Sequence, residues 1–164
     1  MTSLFAYRKH IDAIHTRELR LPDAHQGQQS GLELCTLADG RAVVAMFDGF
    51  TLPAEQHVEI APSIEPLTLT NALREEIKAA SPHVRLIGQR MQEQIRSKYS
   101  TEDEMYFARI GVGSALGVYV FETGEAEALA AYGAHVEAVR QWGRAERAKL
   151  GLADATPAAH VSQG

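Results

Sequence analysis

Residues 81–104, SPHVRLIGQRMQEQIRSKYSTEDE, constrain the fold more than any other stretch. They spell a complete helix and then the start of a second one. Ser81 suits an N-cap, and Pro82 suits the first helical position, where a missing N–H costs nothing. Val84, Ile87, Met91 and Ile95 follow at spacings of three, four and four, which puts them on one apolar stripe. Tyr99 carries the stripe one turn further. Ser100 is a second N-cap, and Glu102, Asp103 and Glu104 place negative charge at the positive end of the next helix dipole. A stripe this regular must be buried against something, and the flanking sequence has to supply it.

Upstream the pattern changes to β. Residues 32–69 read as an antiparallel β strip in which LELCTLA and RAVVAMF flank Asp39-Gly40, a strong hairpin signal. A two-residue loop would set Thr36 opposite Val43. Leu32, Leu34, Thr36, Val43, Ala45 and Phe47 would then share one face, with Glu33, Cys35, Leu37, Ala42, Val44 and Met46 on the other. Neither face is polar, so the ribbon demands cover on both sides. FTLP and HVEIAP offer two further short strands, which Pro53, Pro62 and Pro66 confine to edges. Residues 1–20 form an N-terminal arm in which Leu4, Tyr7, Ile11 and Ile14 have helical spacing, and Arg8, Lys9, Arg17 and Arg20 make it basic. Residues 21–31 lose apolar content and read as a linker.

Downstream, Thr70 caps a helix over NALREEIKAA with Leu73 and Ile77 as its apolar stripe. After the central helix, a third is expected from Thr101 to about Ile110, where Gly111, Gly113 and Gly117 break the pattern. VYVF at 118–121 is a short apolar β-prone run bounded by Gly117 and Thr123-Gly124. A last helix runs from about Glu125 to Leu150. Leu129, Tyr132, Val136, Val139 and Gly143 form a heptad-like seam along it, and Gly151 is its stop. Residues 153–164 read as a mobile tail of small residues. The expected class is therefore α+β: a small antiparallel β strip (about 32–69), then a helical bundle segment (about 70–150) within a helical module, 70–152.

Several chemistries find no support in these residues. The net charge of -5 gives the whole chain no nucleic-acid footprint. A helix-turn-helix pairing of 71–80 with 83–99 lacks the usual glycine turn. No apolar run reaches the roughly 18–20 residues of a membrane span, and residues 1–20 lack the order of a signal peptide, so synthesis in the cytoplasm is expected. The single cysteine, Cys35, excludes an internal disulfide and reads as a buried inert thiol. Gly111, Gly113 and Gly117 miss both the Lys-Ser/Thr ending of a phosphate loop and the spacing of a dinucleotide fingerprint. The seven histidines contain no pair at metal-binding spacing. Glu102, Asp103 and Glu104 are consecutive on a helix and do not converge. No catalytic, cofactor or metal residue is assigned, and the chain is read as a non-enzyme. The candidate functional residues are partner contacts: Val44 and Met46 on the strip, and Tyr132, Val136, Val139 and Trp142 on the last helix.

Two segments carry a resemblance. One is ELCTLADGRAVVAMFDGFTLPAEQHVEI. The other is RLIGQRMQEQIRSKYSTEDEMYFARIG with HVEAVRQWGRAERAKLGL, containing Ile-Arg-x-x-Tyr-Ser-x-x-Asp-Glu, Trp-Gly-Arg and Lys-Leu-Gly-Leu. Over about half the chain this resembles small structural proteins of the tail-fibre and baseplate region of long-tailed, Mu-like bacteriophages. The resemblance implies assembly by protein–protein contact without enzyme chemistry. It implies other tail or fibre proteins as partners, a homo-oligomer for which a trimer is plausible, and residence in the virion tail after synthesis in the host cytoplasm. A non-virion fibre-assembly chaperone and a host-directed binding regulator are the alternatives.

Overall fold

The computed structural model describes residues 1–25 and 27–154. Among them the chain is α+β, with four antiparallel strands and four α-helices. It divides into two compact units. One comprises Met1–Arg85 with the chain from Glu146 onward, and the other Leu86–Ala145.

In the first unit the strands are β1 (Ser3–Arg8), β2 (Gly31–Thr36), β3 (Arg41–Met46) and β4 (Glu65–Pro66), in the order β2-β3-β1-β4. The expected N-terminal helix is corrected here: residues 3–8 are an interior strand. Leu4 pairs with Ala45 and Ala6 with Val43, while Phe5 pairs with Val44 and Tyr7 with Ala42. Both alternating sets are apolar, which is the composition of a strand covered on both faces. The rest of the arm folds back on itself. Asp12 Oδ1 accepts the N–H groups of Ile14 and His15 at 2.9 and 2.8 Å, and Arg17 N–H donates to Lys9 O. Two of its basic residues meet acids of the same chain, Lys9 with Glu33 and Arg17 with Glu59.

The β2–β3 hairpin is present with a different register. Leu37 N–H donates to Arg41 O at 2.8 Å and Gly40 has φ 83°, so the loop is Ala38-Asp39-Gly40, three residues rather than two. Thr36 therefore faces Ala42, and Cys35 faces Val43, with a bulge between Glu33 and Cys35. One face of the sheet gathers Tyr7, Ala42 and Val44 around Leu19 and Ile60. Leu4, Ala6, Val43 and Ala45 alternate with these and are buried on the other face. The sequences expected as edge strands instead supply loop cover. His57–Ile60 is a turn leading into a 3-10 turn, Ala61–Ser63, and Ile60 is fully buried in the core. Only Glu65–Pro66 pairs, with β1.

The first helix, α1 (Asn71–Ala80), is capped by Thr70, whose hydroxyl accepts from Leu73 N–H. It packs against β2 and buries Ile77. The last helix, α4 (Glu125–Lys149), ends as the sequence predicts. Gly151 N–H donates to Ala148 O and Leu152 N–H to Arg147 O, with Gly151 at φ 78°. Leu152 is fully buried, and a Cβ on Gly151 would sit 3.2 Å from Leu4 Cδ2. The start of β1 and the residues after α4 thus close one face together. Of the expected tail, residues 155–164 lie outside the described residues.

The second unit contains most of α2 (Pro82–Arg96), all of α3 (Thr101–Ala115) and most of α4. Ile87 is buried and Met91, Ile95 and Tyr99 are half-buried, while Arg85, Arg90, Arg96 and Lys98 are exposed, as the stripe predicts. Tyr99 meets Phe107 and Tyr132 edge-on, with centroids 5.9 and 5.1 Å apart, and Phe107 stacks on Tyr132 at 5.0 Å. Ser100 and Asp103 form a full capping box at the start of α3. The expected stop at Ile110 is corrected: α3 runs on to Ala115. A Cβ on Gly113 would lie 2.9 Å from Tyr119 Cβ, whereas one on Gly111 would meet Leu129 Cδ2 in ordinary contact at 3.4 Å. Gly113 serves packing, and Gly111 is carried within the helix. The stop is Gly117, at φ 72°, where Gly117 N–H donates to Ser114 O and Val118 N–H to Gly113 O. Residues 118–121 do not join a sheet. Tyr119 donates its phenol to Glu125, 2.8 Å from each carboxylate oxygen, and Tyr106 donates to the same group. That carboxylate pushes the Tyr119 phenol well above its ordinary value.

Candidate functional site

A concavity of the first unit, about 730 Å³, is lined by Arg8, His10, Arg41, Glu59, Ser63 and Glu65 among others. Its charges are largely matched from within. Arg41 Nε lies 2.7 Å from Asp39 Oδ2, and Arg41 Nη1 pairs with Glu65. The Arg41 backbone N–H, then its guanidinium, hold Asp39 below the usual carboxylate range. Glu59 faces Arg17 Nε at 3.5 Å. Ser63 Oγ accepts from Arg8 N–H at 3.0 Å and donates to Ile60 O at 2.7 Å, so its hydrogen bonds go to backbone rather than to a base. This cleft is an ion-paired surface without a nucleophile–base pair.

Cys35 is 7% exposed in β2, and burial, with Glu76 and Glu33 adding negative charge, pushes its thiol up to about 11. That is the opposite of a reactive environment. Among the described residues no group of three or more His, Cys, Asp or Glu is placed to hold a metal ion. No helix of the described residues is long and apolar enough to cross a membrane.

The residues expected as partner contacts do not form one surface. Val44 and Met46 are each 2% exposed, and Val139 is 4% exposed, so three of them are covered by their own chain. This corrects the reading of the hairpin and the seam as open surfaces. The ribbon finds its cover in loops, β1 and α1. The α4 seam is used inside the second unit, with Tyr132 in the aromatic cluster, Leu129 against Gly111 and Gly143 against Met91. Tyr132, Val136 and Trp142 are half-buried.

The uncovered apolar surface lies elsewhere. Met105 is 69% exposed, Val112 60%, Leu116 71%, Val118 79% and Val120 88%. The first two and the exposed Ala108 and Ala115 lie along one side of α3, and the last three continue past its end. The opposite side of α3 buries Phe107 and Ile110. A helix apolar on both sides is ordinarily covered on both, and contiguous exposed apolar surface of this kind marks interaction sites. Sequence reasoning missed it because the helix was stopped at Ile110. Continuing the helical count to Ala115 would have exposed a second apolar row, 105, 108, 112 and 115. At the margin of this row Glu104 is half-buried, and the Arg109 guanidinium lies over the Tyr106 ring, 5.6 Å from its centroid.

No protein-family model, curated protein or solved structure matches this chain.

Proposed function

We propose that this protein is a structural component of a bacteriophage tail tip, in the baseplate or tail-fibre region, and that it acts by protein–protein assembly. The observation that carries the reading is the uncovered apolar face of the second unit, Met105, Val112, Leu116, Val118 and Val120. Five large apolar side chains in sixteen consecutive positions, each more than half exposed, are costly to leave in water. They support docking, and in the first unit's cleft the Ser63 hydroxyl is bonded to backbone groups and not to a base. The resemblance of residues 33–60 and of the helical segments to tail-fibre and baseplate proteins supplies the setting.

The test is quantitative mass spectrometry of purified particles, from a phage carrying this gene, with and without a charge placed on the face by Val120→Asp. A tail-tip component is present in stoichiometric amount, and the substitution lowers its incorporation. Absence from finished particles, with co-purification on fibre protein before assembly, would move the protein to the assembly-chaperone alternative. Absence from both would sink the reading.

A further inference from the structure

The exposed row on α3 has a spacing of its own. Thr101, Met105, Ala108, Val112 and Ala115 succeed one another at steps of four, three, four and three, and every one of them is exposed. That is a coiled-coil seam two heptads long, with Met105 and Val112 at one core position and Thr101, Ala108 and Ala115 at the other. The buried residues Phe107 and Ile110 fall on the outer positions of the same heptad, so the seam points away from the unit's own core. Small residues at alternate core positions let a second helix approach closely. Because the unit's own core holds α3 in place, pairing would not have to fund helix formation as well.

We propose that this seam pairs with the same seam of a second copy of this chain, the two α3 helices running parallel and in register. Charge decides both the occupant and the direction. Glu104 immediately precedes one core position, and Arg109 follows it by five residues. In a parallel pair these flanking positions face each other across the interface. Glu104 of each copy therefore meets Arg109 of the partner subunit, giving two symmetric ion pairs from one sequence. In an antiparallel pair that matches Met105 with Ala115, the twofold axis passes beside residue 110. The two Arg109 side chains would then oppose each other. The inference rests on the reading of this face as a docking surface and gives it a partner.

Sedimentation equilibrium of the purified chain, with cysteine cross-linking, tests the pairing. The wild type is expected to show a concentration-dependent dimer. Val112→Glu, at an exposed position, is expected to give a monomer with an unchanged far-ultraviolet circular dichroism spectrum. Glu104→Arg or Arg109→Glu alone should weaken association about tenfold, and the two together should restore it. Val112→Cys should cross-link to itself, because parallel register brings equivalent core positions together, and the native Cys35 is buried. The pairing is overturned by a monomer mass up to about 1 mM, the weak end of specific association. Cross-linking of Ala108→Cys to Val112→Cys in place of Val112→Cys to itself overturns it too. Particle composition is read separately, so a monomeric chain that is still found in virions removes the pairing and leaves the tail assignment standing.

Discussion

Lys9 Nζ sits against both carboxylate oxygens of Glu33, 3.0 Å from Oε1 and 2.9 Å from Oε2, and so ties the end of β1 to β2, a strand it does not border in the sheet. The Tyr7 phenol stands beside this pair and accepts from Leu19 N–H at 3.3 Å. Hydrogen bonding to Glu33 raises the Lys9 ammonium above its ordinary value, and burial raises the Tyr7 phenol above 10.0.

Both shifts have the same consequence for alkaline stability. Each group holds its proton more tightly folded than unfolded. The stabilisation is therefore complete below the unfolded values and is lost as pH rises through the folded ones. Urea midpoints are expected to stay level from neutrality to about pH 8.5, to fall first as the unfolded Cys35 thiol ionises while the buried one keeps its proton, and to fall further above about pH 10 as Lys9 and Tyr7 titrate. Glu33→Gln should flatten the Lys9 part of that fall and cost about 1 kcal/mol at neutral pH, since both partners are partly exposed. A midpoint independent of pH up to about 11 would contradict this account.

Two glycines should respond oppositely to the same change. Nothing lies within 4 Å of a Cβ built on Gly88 in the middle of α2, so Gly88→Ala is expected to stabilise by about 0.5–1 kcal/mol through helix propensity. A Cβ on Gly31 would lie 2.7 Å from Ala45 O, a backbone atom of the neighbouring strand. Gly31→Ala is expected to destabilise by about 1–3 kcal/mol as β2 and β3 are pushed apart. Thermal melts of the two variants check both signs.

The capping box at residue 100 gives a third measurement. Ser100→Ala should cost about 1 kcal/mol, because Asp103 N–H loses its acceptor at 3.1 Å. The Ser100 hydroxyl and its backbone N–H hold the Asp103 carboxyl below its ordinary value. That contribution is present above the unfolded carboxylate value and disappears as pH falls through the folded one. Ser100→Ala should accordingly lose in acid the part of its penalty that comes from the Ser100 hydroxyl donating to the Asp103 carboxylate, and keep the part from the Asp103 N–H, which denaturant titrations across the acid range would register.

Cys35 should be slow to modify. With its thiol at about 11 and its side chain in the sheet, an aromatic disulfide reagent at pH 8 should label it only on unfolding. Rapid labelling of the native protein would mean that β2 opens locally.

What the sequence disclosed was local. Thr70 and Ser100 cap the starts of α1 and α3, and Gly151 follows the stop of α4, through side chains and backbone bonds that lie within a few residues. What it hid was distant. The alternation of Leu4, Phe5, Ala6 and Tyr7 fits a helix over six residues as well as a strand. The choice is made by Ala42, Val43, Val44 and Ala45, nearly forty positions away. The hairpin was visible at Asp39-Gly40, but one extra loop residue, Ala38, moved its register by one and the bulge near Leu34 moved it again. The candidate site was obscured for a different reason. Gly111 and Gly113 signal a break when read alone, and only its neighbour Tyr119 makes Gly113 a space to be filled.

The fit of Leu152 and Gly151 beside Leu4 also sets an order of events during synthesis. The first unit is built from both sides of the second, so the ribosome must deliver the residues after α4 before β1 gains its final cover. The contiguous stretch Leu86–Ala145 has all its own parts earlier. Helices should therefore mature first on the growing chain, while the sheet, though translated first, waits half-clad for the last turn of α4 to arrive.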